Sequence, residues 1–210
     1  MSFATWFGFA ISAIIIALSP GSGAVLSMSH GLSYGVKKAS ATVIGLQLGL
    51  LLVLFIAGAG VGSLLLASEV AFNIVKTVGA LYLIYLGLAQ WRARVNEGTE
   101  VVAARSAVPS VKRRLLTGFL TNATNPKGII FMVAVLPQFI TQSEPVLPQL
   151  LILAATMVTI DLTVMHGYAF LASTMQGYFR DARAMRIQNR VFGGLLMAVG
   201  TALFFVKRNA

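Results

Sequence analysis

The sequence predicts an all-α integral membrane protein of six transmembrane helices, arranged as two inverted three-helix repeats with helices 1 and 4 broken. Three observations predict it. Of 210 residues, 57% are hydrophobic and 10% charged, whereas soluble domains carry about 25% charged residues. The apolar residues gather into six stretches, most near the length of about 20 residues that crosses a bilayer as a helix. Two prolines, Pro20 and Pro126, interrupt such stretches, one in each half of the chain.

The first stretch spans about residues 4–28 and contains Ser19-Pro20-Gly21. Proline removes a backbone donor and opens the preceding turn, and a bilayer tolerates the freed groups only where protein or water satisfies them. No basic residue precedes Lys37, so this run lacks the positive n-region of a signal peptide and is expected to be retained. The second stretch, about 40–63, places Gln47 as an interhelical hydrogen bonder and spaces Gly45 and Gly49 for close backbone approach. That spacing favours packing within the bundle over a contact between copies, with a homo-oligomer left open. The third, about 70–91, holds Lys76 near its outer end, where a lysine snorkels to the interface.

The fourth stretch, about 116–140, is polar in its first half (Thr117, Thr121, Asn122, Thr124, Asn125). Its remainder, Gly128 to Ile140, is short for a span, which predicts a break near Pro126. The fifth runs over about 147–172 and the sixth over about 190–206. Together they make a single domain, 1–210, with a polar linker over about 92–115 between two groups of three helices. Three is odd, so the second group starts from the opposite face, as in an inverted-topology repeat. Paired proline breaks in the two halves point to a transporter's binding site.

Loop charges set the orientation. Lys37 and Lys38, then Arg92, Arg94, Arg105, Lys112, Arg113 and Arg114, then Arg180, Arg183, Arg186 and Arg190 fall on one side. The other side receives Lys207 and Arg208 alone; the loops holding Glu69 and Glu144 have no basic residue. The positive-inside rule places the first group in the cytoplasm and both termini outside. The net charge of +10 is thereby assigned to topology, and nucleic acid is not expected as a partner.

Cysteine is absent, which excludes disulfides, Cys-zinc sites and thiol nucleophiles. Gly-x-Ser-x-Gly, His-Glu-x-x-His and Walker motifs are missing, so neither an enzyme nor a cofactor is expected. The two histidines, His30 and His166, lie in different segments, which argues against a metal site.

Asp161 lies midway along the fifth segment between apolar neighbours. An intramembrane carboxylate is costly and marks a solute pathway or proton relay by default; a hydrogen bond to a neighbouring helix is the structural alternative. Tyr168, seven residues on, shares its face, whereas His166 joins Thr156, Thr159 and Thr163 in a separate polar stripe that lines a cavity or bonds across helices. Lys127 would lie about 16 Å along a helix starting near Leu116, facing a wet cavity, unless the polar first half is re-entrant and leaves it at the interface.

Ser19-Pro20-Gly21, Gly45 with Gly49, the run VKTVGALYLIYLG from Val75 to Gly87, and GFLTNATNPKGIIFMVAVLPQF from Gly118 to Phe139 together resemble the lysine-exporter (LysE/RhtB) family of amino-acid efflux permeases. Asp161 with Tyr168 falls where that family places an aspartate and an aromatic. Many members continue Ser-Pro-Gly with a second proline, where this chain has Ser22. The resemblance implies a bacterial inner-membrane exporter of amino acids or derivatives (homoserine, threonine, leucine or lysine type), exchanging them for protons by alternating access. The expected substrate site comprises Ser19, Pro20, Gly21, Asn125, Pro126, Lys127 and Tyr168, with Asp161 coupling to protons. An uncoupled small-solute channel and a non-transporting membrane scaffold are the alternatives.

Overall fold

The computed structural model describes residues 1–67, 69–92, 108–141, 143–174 and 182–205. Among them are eight α-helices and no strand: α1 Phe3–Leu18, α2 Ser22–Tyr34, α3 Val36–Ala67, α4 Glu69–Trp91, α5 Val111–Ala123, α6 Pro126–Val135, α7 Val146–Thr174 and α8 Ala182–Phe205, with a 3₁₀ turn at Leu136–Phe139 after α6. Arg94, Arg105 and most of the expected linker lie outside the described residues, as do Arg180, Lys207 and Arg208.

Both prolines mark breaks. The α1–α2 pair bends by 56° and the α5–α6 pair, continued through the 3₁₀ turn, by 51°. Ser2 caps α1 by accepting from the Thr5 amide at 3.1 Å, and Ser110 caps α5 by accepting from the Arg113 amide at 3.3 Å. At the second break Asn125 caps α6 and Pro126 occupies its first turn, where a missing N–H costs nothing. Gly35, at φ 76°, lets α2 turn directly into α3, a conformation that a side chain disfavours.

The helices outrun the apolar stretches, most of all at three points. The first reaches Tyr34 rather than 28, the fourth starts at Val111 rather than 116, and the sixth starts at Ala182 rather than 190. The extra turns carry Lys112, Arg113, Arg183 and Arg186; a helix continues past the lipid boundary that hydropathy traces. By length and composition α3 and α7 can each cross a membrane, and each bent pair can if it forms one span, giving two to four crossings among the described residues where six were expected.

Small residues bring helices into backbone contact. Gly45 and Gly49 of α3 face the Leu115 and Phe119 carbonyls of α5, leaving no room for a Cβ. Gly87 of α4 and Gly193 of α8 pack on each other's carbonyls in the same way. Two apolar cores result. The larger joins α1, α3, α4, α6, α7 and α8 around Phe9, Leu54, Leu83, Phe131 and Leu153. The smaller joins α2, α3 and α7 around Ala24, Val43, Leu46, Met165 and Tyr168. Outward faces carry exposed Ile44, Leu48, Leu52, Ile56, Leu147 and Leu151, as a lipid-facing surface requires.

Candidate functional site

The seam between the two cores contains a cavity. Ile16, Leu50 and Met157 line it from the larger core and Ala24, Leu46 and Met165 from the smaller. Its polar lining comes from Ser19, Gly21, Asn122, Asn125, Lys127 and Asp161. The volume is about 40 Å3. One water needs about 10–15 Å3 by this measure, so this conformation has room for a few waters and none for an amino acid.

The first break supplies the site's acceptors. The last carbonyls of a helix have no partner within it, and Pro20 stops α1 from continuing. Lys127 reaches across from α6: its Nζ donates to Ile16 O at 3.2 Å and Ser19 O at 2.5 Å. Tyr168 of α7 donates its hydroxyl to Leu18 O at 2.7 Å. Ser19 Oγ donates to Gln90 Oε1 of α4 at 2.8 Å. A cation in the first turn of its own helix sits at the wrong end of the dipole, but Lys127 gains the negative C-terminal end of α1. The breaks are therefore one structure, in which a side chain from the second caps the first.

Asp161 is 6% exposed and lies on the opposite helix, α7. Gln47 of α3, itself 5% exposed, donates to its Oδ2 at 2.7 Å. Gln47 Oε1 is buried with no hydrogen-bond partner. Among the described residues no ion pair joins Asp161 to Lys127, although both line the cavity.

The two helix starts that meet here differ. Asn125 Oδ1 accepts from the Lys127 amide at 3.1 Å, closing the start of α6. Gly21 gives α2 no side-chain cap, and Gly21, Gly23 and Ala24 border the cavity. The expected residues Ser19, Gly21, Asn125, Lys127 and Asp161 thus line one cavity. Pro20 and Pro126 shape it, and Tyr168 touches its α1 wall.

The polar stripe on α7 behaves differently. Trp6 Nε1 donates to Thr156 at 2.9 Å, and His166 Nε2 lies 3.0 Å from Ser40 Oγ, so its ends bond across helices. Thr159 and Thr163 bond back to carbonyls of their own helix and face outward. Two contributors were not singled out from the sequence as part of the site. Asn122 donates to Leu46 O at 2.8 Å while lining the cavity, and Gln90 receives Ser19. Asn122 lies inside the run from Gly118 to Phe139 but was not assigned to the site there, and Gln90 carries no signal in spacing or motif.

The fold is that of an α-helical membrane protein with a polar cavity at the seam of its two cores. The chain matches the LysE type translocator family over residues 14–206 and belongs to it. It is 39% identical over 203 residues to the homoserine/homoserine lactone efflux protein of Salmonella typhi, covering 97% of each chain. It is 30% identical over 197 residues to the leucine efflux protein of Enterobacter sp. (strain 638), covering 92% of this chain and 91% of that one. An uncharacterized membrane protein of Vibrio cholerae is 38% identical over 207 residues, covering 99% of this chain and all of the relative. No solved structure matches. The protein is thus a membrane protein of a bacterial family of translocators.

Proposed function

We propose that the protein is a secondary exporter of amino acids or their derivatives in the bacterial inner membrane, exchanging cargo for protons by alternating access. The observation that carries this reading is the seam cavity, where a buried carboxylate faces two broken helices. The uncapped start of α2 suits a substrate carboxylate, since free N–H groups and the helix dipole favour negative charge. Asp161 takes the substrate ammonium or the coupling proton in turn, and exchange follows because the two compete. Relatives named for homoserine/homoserine lactone and leucine efflux support an amino-acid cargo.

Six crossings with both termini outside, built as two inverted repeats, complete the proposal. Supporting it, the two bent pairs have similar angles. Exchanging the halves maps the packing of α3 on α5 onto that of α7 on the α1–α2 pair, and the α4–α8 crossing onto itself.

The test loads expressing cells with dipeptides and profiles the amino acids released. Faster release of one chemical group of amino acids than from cells lacking the protein is expected. Identical profiles would remove the transport assignment.

A further inference from the structure

Lys127 occupies a built cation site. Its ammonium is held by two carbonyls at the negative end of α1, Ile16 O and Ser19 O. The side chain lies against Gly21, where an added Cβ would stand 3.1 Å from both Cε and Nζ. The cavity has one anionic side chain, Asp161, and one cationic side chain, Lys127, and its other walls are apolar or neutral. These charges already balance. A substrate bearing one ammonium can place it at Asp161. A second ammonium would need the α1 carbonyls, and Lys127 holds them.

We infer that Lys127 determines charge specificity: it fills the second cation site from within, so the protein accepts compounds with one ammonium group and refuses diamino acids such as lysine and ornithine. The inference rests on the proposed transport function and deepens it by naming the substrate class.

Norleucine and lysine make the test pair, because they differ by the terminal ammonium alone. In proteoliposomes of the purified full-length protein, both compete against whichever labelled neutral amino acid it transports. Lysine should compete at least tenfold more weakly than norleucine with the unaltered protein. Lys127→Gln should raise the lysine-to-norleucine ratio at least tenfold, while Lys127→Arg, which keeps the charge, should leave it low. Equal competition by lysine in the unaltered protein overturns the inference without any variant, so it stays testable even if Lys127→Gln misfolds. A folded Lys127→Gln protein with an unchanged ratio also overturns it. Transport of no amino acid at all would sink the exporter reading and this inference together; either of the other failures leaves the exporter reading standing.

Discussion

At the C-terminal end of α1, Leu18 O gains its donor from one tyrosine hydroxyl on another helix. Tyr168→Phe keeps the ring packed in the smaller core and strands that carbonyl, so it should destabilise the protein by about 1–3 kcal/mol; thermal unfolding in detergent measures the loss. Gly35→Ala forces a side chain into a positive-φ conformation and should cost about 1–3 kcal/mol in the same assay. Residues around the cavity were legible where a residue type is costly in its setting. Asp161, Lys127 and the two prolines announced themselves because charge and lost donors inside apolar runs demand compensation. Their partners did not. Lys127 bonds backbone carbonyls, which have no side-chain signature, and Gln90 and Asn122 acquire meaning only when distant helices meet.

Between elements, the contact of α3 with α5 is set by glycine at close range. Gly45→Val would drive a branched side chain into the Leu115 carbonyl, and neither backbone can yield without moving its helix. The variant should lose more than about 3 kcal/mol, seen as a lower yield of monodisperse protein or a lower unfolding temperature. That pairing was foreseeable in kind, since Gly45 and Gly49 are spaced for close approach, but its partner was not. Helix ends were less legible than helix existence. Hydropathy marks where lipid ends, whereas the basic turns of α5 and α8 remain helical beyond it. The breaks were visible because proline forbids a regular helix locally, whatever the tertiary setting.

For the whole molecule, the cavity lies where two cores meet and is too small in this conformation for an amino acid, so transport requires the helices around the seam to separate. The proposed orientation is open to direct labelling, because the chain has no cysteine. Ser143→Cys should react with a membrane-impermeant maleimide from outside, and Lys112→Cys only after the membrane is permeabilised; the reverse pattern would invert the topology. The most direct measurement of the central claim is amino-acid flux in proteoliposomes under an imposed pH gradient, comparing the unaltered protein with Asp161→Asn. Proton exchange at Asp161 predicts uphill, gradient-driven flux that the folded variant loses. Undiminished pH-driven flux in Asp161→Asn, or flux in the unaltered protein that follows the solute gradient alone with no proton movement, would contradict it.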